Sequence, residues 1–300
     1  MKYIIGIDGG GTKTEAVAYD LEGNELYKVQ GGAGNLSSDA GSALSNILDT
    51  INKCRDELKG DECVFIALGL AGVESGNNKE IVYQALKKEF NTEIKVMNDA
   101  DIALAALLKG EDGILTIAGT GSICYGIHNN KSARAGGWGH LIGDEGSGYY
   151  IAMEAIKNMA SREDDLMPLD NLSNNVLQAL SLKSPQQIKG FVYSKGKAEI
   201  ASLATVVVKT AESGDKASIN ILKNAGRDLA RISLQVCNKL NLKSNVKIGI
   251  IGSVLNKCTI VKSSFEKELT KSLDGFKIIH GNTSPTLGAY YLYKPKNVEK

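Results

Sequence analysis

The chain has 300 residues, enough for two compact domains, and its 35 basic and 34 acidic side chains leave a formal net charge of +1. No long run of like charge is present, so neither a nucleic acid nor an acidic membrane surface is expected as a partner. The longest apolar stretches, 63–71 and 246–251, are far shorter than the ~20 residues that span a bilayer. The apolar run at the N-terminus is too short for a signal-peptide core, which predicts a cytoplasmic protein.

The cysteines and histidines show no metal-ligand spacing. The five cysteines form no C-x-x-C pair and lie mostly in apolar contexts: Cys54, Cys63, Cys124, Cys237 and Cys258. This pattern predicts reduced core residues rather than disulfides or metal ligands. The three histidines, His128, His140 and His280, are scattered along the chain.

The first part of the chain predicts the order βββαβαβα. A buried-strand pattern over 3–8 is followed by a hairpin over 14–20 and 25–30, and helical spacing of apolar residues begins near 38 and ends near 58. Next come a strand over 64–70, a helix over 79–89, a strand over 94–97 and a helix over 99–108.

At Gly113 the pattern starts again with a strand over 114–118, a small-residue turn and an extended segment over 123–128. A long helical region over 145–240 precedes a strand over 246–251, a helix over 257–272, a strand over 276–279 and a final helix near 285–293. The repeated opening predicts a duplicated α/β fold with a cleft between its halves. The predicted lobes are 1–112, joined by a returning C-terminal helix over 286–300, and 113–285.

Two turns rich in glycine and hydroxyl groups follow the first strand of each half. Asp8 precedes three glycines and then Thr12 and Lys13, and the second turn reads G-T-G-S at 119–122. Glycine lets backbone N–H groups approach phosphate oxygens, and a carboxylate can hold hydrated Mg²⁺. The Walker spacing is absent, and a hairpin follows instead of a helix. Either turn alone could be a plain hairpin turn, whereas the two together favour a polyphosphate site.

Asp99 and Asp101 lie where a predicted strand gives way to a helix. One interpretation is an N-cap or an acid in the first helical turn. The other is a carboxylate at the carboxyl end of a strand, where α/β folds place ligands, acting as a base on a hydroxyl group.

The segment 136–148 contains six glycines, the only tryptophan and two adjacent acids. This composition is typical of a loop that contacts a ligand with its backbone. The face of Trp138 can contact a sugar ring, and Asp144 can accept hydrogen bonds from vicinal hydroxyls. Asp144 and Glu145 could also cap the helix that follows, and both roles can coexist.

The ordered set D-G-G-G-T-K-T, N-D-A-D, A-G-T-G-S, G-G-W-G-H-x-x-G-D-E-G-S and I-G-S-V covers nearly the whole chain. It resembles the N-acetylglucosamine kinases within the BadF/BadG/BcrA/BcrD ATPase family, and W-G-H and G-D-E-G-S are its most specific parts. The resemblance implies a two-lobed ribonuclease H-like (actin/hexokinase-like) α/β fold that closes on ATP, Mg²⁺ and sugar. It further implies phosphorylation of N-acetylglucosamine, N-acetylmuramate or both at the 6-hydroxyl, by a homodimer.

The resemblance also assigns residues by matching position. Asp8 would serve the metal and phosphates, and Asp99 would be the catalytic base. The first phosphate turn would be Gly10, Gly11, Thr12 and Lys13, and the second Gly119, Thr120 and Gly121. The adenosine segment would be Gly252, Ser253 and Val254. The sugar would be held by Asn35, Asp99, Gly137, Trp138 and Asp144.

This sequence departs from the mammalian-type enzyme directly after G-T-G-S, where Ile123 replaces an asparagine that meets the sugar. One hypothesis is that the apolar side chain makes room for the lactyl ether of N-acetylmuramate. The other is a neutral exchange inside a strand.

Two alternatives to an amino-sugar kinase remain at this point. An ATPase that activates 2-hydroxyacyl-CoA dehydratases would hold an iron–sulfur cluster with cysteines, and the five here show no cluster motif. A non-catalytic sugar-binding regulator would be expected to carry a DNA-binding segment, and no helix-turn-helix pattern precedes the core.

Overall fold

The computed structural model describes residues 1–37, 39–281 and 283–293. They form two compact units, one containing 1–112 and the residues from Gly281 onward, the other containing 113–280. The second unit thus ends at His280, earlier than the predicted boundary at 285. Among the described residues, no helix combines the length and apolar character that a membrane crossing needs.

The first unit is a five-stranded mixed sheet with helices on both faces. Its strands are β1 (Lys2–Gly9), β2 (Thr14–Asp20), β3 (Glu25–Gly31), β4 (Glu62–Leu70) and β5 (Glu93–Asn98). Its first three helices are α1 (Ala40–Glu57), α2 (Asn78–Glu89) and α3 (Asp99–Leu107). The strand order is β3-β2-β1-β4-β5, in which β1 pairs antiparallel with β2 and parallel with β4.

Alternation along β1 separates the two cores of this unit. Ile5 and Ile7 pack into one buried cluster with Ile47 and Ile51 of α1, whereas Ile4 packs into another with residues from α3 and the C-terminal segment. Successive side chains of a strand point to opposite faces, so one strand can serve both cores.

The C-terminal segment returns to the first unit through a 3₁₀ turn, Pro285–Leu287, and a short helix, Gly288–Tyr293. A Cβ at Gly6 would lie 1.8 Å from the carbonyl oxygen of Thr286, so only a glycine permits this approach to β1. The hydroxyls of Tyr19 and Thr286 are also hydrogen-bonded, at 2.8 Å. The predicted helix over 286–300 is therefore present as far as Tyr293, and positions 294–300 lie outside the described residues.

The second unit repeats the sheet of the first. Its strands are β6 (Gly113–Ala118), β7 (Ser122–His128), β8 (Lys131–Gly136), β9 (Ser244–Ile251) and β10 (Asp274–His280). The strand order is β10-β9-β6-β7-β8, with β6 antiparallel to β7 and parallel to β9. β6 thus has the position that β1 has in the first sheet, and the predicted duplication is confirmed.

Helices account for most of the remainder of the second unit. They are α4 (Gly148–Asp164), α5 (Asn171–Ala179), α6 (Ile188–Ser194), α7 (Lys197–Ser202), α8 (Ala204–Glu212), α9 (Lys216–Leu240), α10 (Ser253–Lys257) and α11 (Thr259–Leu269), with a 3₁₀ turn at Pro185–Gln187 before α6. Leu222, Leu229 and Val236, on the long helix α9, belong to one large buried cluster that also contains sheet residues.

Two sequence predictions of elements need correction. Strand β8 was not predicted, because K-S-A-R-A-G offers few of the β-branched or aromatic residues that signal a strand. The helix predicted over 257–272 is present as α11, whereas the short helix α10, which the extended backbone of Cys258 separates from it, was not predicted.

The packing of α9 against α11 predicts opposite effects for two glycine substitutions. A Cβ at Gly226 would lie 2.4 Å from the carbonyl oxygen of Val261, so Gly226→Ala should lower the free energy of unfolding by about 1–3 kcal/mol. At exposed Gly190 in α6, a Cβ would meet nothing within 4 Å, so Gly190→Ala should raise it by about 0.5–1 kcal/mol. Denaturant unfolding of both variants checks this, and equal effects at the two sites would contradict the packing.

Candidate active site

The candidate residues of the first unit meet at one edge of its sheet. Strands β1, β4 and β5 are parallel, and the registers align Gly9 with Leu70 and Leu70 with Asn98. Their carboxyl ends therefore lie side by side. Asp8 is the penultimate residue of β1, and Asp99 begins the helix that follows β5.

A glycine in the strand between them sets how closely Asp99 can approach. A Cβ at Gly69 would lie 3.2 Å from the Cα of Asp99 and 2.1 Å from Cγ2 of Ile102. Gly69 is also the register partner of Asp8. The missing side chain lets the first turn of α3 rest on β4. The backbone of Asp99 therefore lies against Gly69, whose neighbour in the adjacent strand β1 is Asp8.

The two carboxyl groups lie in a poorly solvated environment. Burial, followed by the charges of Asp99 and Glu15, raises the pKa of Asp8 to about 6, against the opposing charge of Lys13. Burial also raises the pKa of Asp99, although backbone N–H groups partly offset the effect. Such shifts are frequent where acids act on a ligand, and they leave each group a better proton acceptor at neutral pH.

Asp99 is not the N-cap of its helix. Asn98 holds that position, and its side-chain oxygen accepts a hydrogen bond from the N–H of Ala100 at 2.9 Å. The capping alternative for Asp99 and Asp101 is therefore wrong, while the placement of both in the first turn is confirmed. The cap is supplied by another residue, so helix formation alone does not require a carboxylate at position 99.

The first glycine turn connects β1 to β2 and offers open backbone. The N–H of Gly10 donates to the carbonyl of Lys13 at 3.0 Å, and the N–H of Gly34 donates to the carbonyl of Gly10 at 2.9 Å. A Cβ at Gly11 would meet no heavy atom within 4 Å. Gly10 to Lys13, with Thr12 among them, thus form a fixed turn with space beside its main chain, as a phosphate-binding turn requires.

Asn35 is brought to the same edge of the sheet by its loop. The N–H of Leu36 donates to the carbonyl of Ala71 at 3.0 Å, directly after β4. The side-chain oxygen of Asn35 accepts from the N–H of Ser37 at 2.9 Å and would lie 2.8 Å from a Cβ at Gly72. The candidates of the first unit therefore all lie at or beside the carboxyl ends of β1, β4 and β5: Asp8, Gly10, Gly11, Thr12, Lys13, Asn35 and Asp99.

In the second unit, the G-T-G-S turn contacts the segment after β9. A Cβ at Gly252 would lie 2.2 Å from the carbonyl oxygen of Ala118 and 3.0 Å from the nitrogen of Gly119. With φ at 101°, Gly252 also has a backbone conformation that few other residues adopt. The carbonyl of Gly119 accepts from the N–H of Gly148 at 2.8 Å, while a Cβ at Gly119 would meet open space.

A cavity of about 300 Å³ opens beside Gly252. Its lining includes Ser253 and Val254, as well as Ala204, Thr205 and Val208 of α8. The structure therefore joins the predicted adenosine segment to an apolar pocket whose other wall, α8, was not identified from the sequence. No motif marks α8, because its pocket residues are ordinary helix residues whose role depends on what packs opposite.

The glycine-rich loop begins against β7. The N–H of Gly137 donates to the carbonyl of Ser122 at 3.0 Å, and a Cβ at Gly137 would lie 2.2 Å from Cδ1 of Ile123. Ile123 thus packs on the backbone of the predicted sugar loop. Trp138 is 62% exposed, with the guanidinium carbon of Arg134 5.0 Å from its ring centroid, so most of the ring is accessible.

Asp144 is buried, with only 4% of its side chain exposed, and both of its oxygens have partners. One accepts from the N–H of Ser122 at 3.3 Å, and the other from the ammonium of Lys197 at 2.6 Å. The following helix, α4, is capped by Ser147, so the predicted capping role of Asp144 and Glu145 is wrong. Lys197 was not identified from the sequence, where no spacing connects it to a residue 53 positions earlier.

The carboxylates of the first unit fit a magnesium ion that is shared with a phosphate chain. Among the residues described, no group of three or more His, Cys, Asp or Glu side chains could hold a metal ion alone. Mg²⁺ typically takes one or two carboxylates and completes its shell with water and substrate phosphates. Asp8, next to an open glycine turn, has that chemistry.

A model of one protein family matches residues 5–292 of the chain, which contain every site residue described above. The chain belongs to the BadF/BadG/BcrA/BcrD ATPase family. Two curated relatives match nearly its whole length. It is 36% identical over 299 residues to the N-acetylmuramic acid/N-acetylglucosamine kinase of Clostridium acetobutylicum, covering 96% of this chain and 97% of that protein. It is 29% identical over 307 residues to the N-acetyl-D-glucosamine kinase of Dictyostelium discoideum, covering 96% of both.

Solved structures share the fold at low sequence identity. A candidate N-acetylglucosamine kinase of Chromobacterium violaceum gives a TM-score of 0.68 at 22% identity, covering 97% of this chain and 99% of that one. A ROK family glucokinase of Streptomyces griseus gives a TM-score of 0.52 at 15% identity, covering 98% of both chains. These similarities confirm the predicted actin/hexokinase-like fold class of this family member.

The raised pKa of Asp8 predicts a gain in stability when its charge is removed. Between its ordinary pKa of 3.8 and about 6, the folded chain binds more protons than the unfolded chain, so stability falls as the pH rises through this window. With EDTA present, Asp8→Asn should therefore melt at a higher temperature than wild type at pH 7.5, and the difference should shrink toward pH 4.5. Differential scanning fluorimetry measures this.

A suitable control is Asp56→Asn, at an exposed acid of α1, which should change little at either pH. If Asp8→Asn raised the melting temperature equally at pH 7.5 and pH 4.5, the ionised carboxylate of Asp8 would not be what destabilises the wild-type fold.

Proposed function

We propose that the protein transfers the γ-phosphoryl group of ATP to the 6-hydroxyl of an N-acetylated amino sugar, N-acetylglucosamine or N-acetylmuramate or both. The observation that carries the proposal is the pair of carboxyl groups, Asp8 and Asp99, at the end of parallel strands beside an open glycine turn. The names of the curated relatives support the same substrate class and do not favour a dehydratase-activating ATPase or a non-catalytic regulator.

In this proposal the first unit supplies the acids that act on the reacting groups. Asp99 takes the proton of the 6-hydroxyl as the new bond to phosphorus forms, and its raised pKa suits a proton acceptor. Asn35 contributes an amide at the same sheet edge for a sugar hydroxyl. The turn from Gly10 to Lys13 places backbone N–H groups and one ammonium beside the phosphates.

The second unit supplies the nucleotide pocket and the sugar loop. Gly252, Ser253 and Val254 hold adenosine in the cavity against α8, and Gly119, Thr120 and Gly121 hold phosphates. Gly137 and Trp138 contact the sugar, with Asp144 at the end of the same loop. Because Ile123 packs on Gly137, its apolar side chain lies beside the proposed sugar site. There it would accommodate the lactyl ether that N-acetylmuramate carries.

Mg²⁺ would bind to Asp8 and supply positive charge to the transferring phosphates. Phosphoryl transfer depends mainly on positioning and on neutralising charge, so the residues named here have sufficient chemistry for it. A homodimer in the cytoplasm is part of the same proposal.

A coupled assay for ADP release tests the substrate class. The sugars to compare are N-acetylglucosamine, N-acetylmuramate, glucosamine, N-acetylmannosamine and glucose. ADP release should rise above the sugar-free rate with one or both of the first two, and glucose should support far less. ATP hydrolysis that no sugar stimulates would contradict the kinase proposal and favour an activator ATPase.

Two acids in the same helical turn allow a matched test of the base. Asp99→Asn should reduce kcat by about 10²-fold or more, because the amide keeps volume and hydrogen bonding but accepts no proton. Asp101→Asn should remain within about threefold of wild type, although burial also raises the pKa of Asp101. Steady-state kinetics with melting temperatures separates catalysis from folding. Equal kcat in the two variants would refute the assignment.

A further inference from the structure

Lys197 is placed at the second glycine turn by the start of a short helix. It is the first residue of α7, and its ammonium lies 2.6 Å from Oδ2 of Asp144. The two side chains differ in exposure, since 32% of Lys197 and 4% of Asp144 are accessible. One end of this ion pair is therefore fixed in the protein interior while the other reaches solvent.

The ammonium lies directly over the turn itself. A Cβ at Gly121 would lie 2.8 Å from Nζ of Lys197 and 3.0 Å from Oδ2 of Asp144. Asp144 in turn accepts from the N–H of Ser122, and Gly119 faces open space. A cation and open main chain thus share one small region, and both suit phosphate oxygens.

The ammonium of Lys197 can exchange Asp144 for a phosphate. A lysine ammonium has three donors and is a flexible point charge, and the bond to Asp144 uses one donor. A polyphosphate on the turn carries more negative charge than one carboxylate and so competes for the same ammonium. When Lys197 turns toward phosphate, Oδ2 of Asp144 becomes able to accept a hydrogen bond from a sugar hydroxyl.

We propose that Lys197 is a phosphate-binding residue of the second glycine turn, and that Asp144 holds it in place until the nucleotide's phosphates bind. The inference rests on the proposed function, since it takes the G-T-G-S turn as a phosphate site. It adds a residue that no motif of the sequence indicates. It also couples the nucleotide to the sugar loop, because the same ion pair contacts both.

Isothermal titration with ATP and with adenosine separates this role from a structural one. Lys197→Met should weaken ATP binding by about tenfold to a hundredfold, because a charge-assisted hydrogen bond is lost. Adenosine binding should change by less than about twofold, because the cavity against α8 is untouched. Lys197→Arg should recover part of the loss. Lys195→Met, two positions earlier in an exposed pair with Glu199, should match wild type for both ligands.

A second variant tests the exchange of partners and serves if Lys197→Met does not fold. Asp144→Asn removes the competing charge, so ATP should bind as tightly as to wild type or more tightly, whereas a purely structural pair would give weaker binding. Equal losses for ATP and adenosine in Lys197→Met would overturn the proposal, as would weakened ATP binding in Asp144→Asn. The titrations need no turnover, so they decide the role of Lys197 even if no sugar stimulates ADP release.

Discussion

Close backbone approach at glycine positions is the constraint on which both sets of candidate residues depend. In the first unit, Gly69 lets the first turn of α3 rest on β4, which fixes the position of Asp99 at the start of that helix. In the second, Gly252 lets the segment after β9 rest on Ala118 and Gly119. A methyl group at either position would overlap main-chain or core atoms, which cannot move without shifting the element that carries the site. The two glycines are therefore required for the candidate residues beside them to hold their positions.

The candidate acids are solvated poorly in two different ways. Asp8 and Asp99 lie where burial and, for Asp8, neighbouring carboxylates make the charged form unfavourable. Asp144 is buried too, but a lysine lies 2.6 Å away and a backbone N–H faces its other oxygen. A paired, hydrogen-bonded carboxylate is a stable acceptor, whereas an acid with a raised pKa readily takes a proton or a cation. The proposed roles follow from this difference: Asp8 and Asp99 act on the metal and the proton, whereas Asp144, paired with Lys197, accepts hydrogen bonds.

The sequence predicted much of this arrangement, because strand ends and glycine turns are local signals. Asp8 and Asp99 were predicted from their places near strand ends and the G-T-G-S turn from its glycines, and the structure gives both sheets the same strand order. The wall that α8 forms and the pairing of Lys197 could not be predicted, since they depend on helices that pack far from their partners in sequence. Capping was also misassigned: Asn98 and Ser147 were overlooked beside more conspicuous acids.

The misassigned caps strengthen the functional interpretation of the acids they were confused with. In both helices another residue holds the N-cap position: the side chains of Asn98 and Ser147 accept backbone N–H groups at 2.9 and 3.2 Å. Asp99 and Asp144 are then left with the desolvation cost of a buried carboxylate and without a capping role to offset it. A natural chain retains such groups where function requires them, at the expense of stability. The ion pair with Lys197 offsets that cost for Asp144, whereas for Asp99 the hydrogen bond from the N–H of Ala100 offsets only part of it, which leaves Asp99 as the acid most readily explained by catalysis.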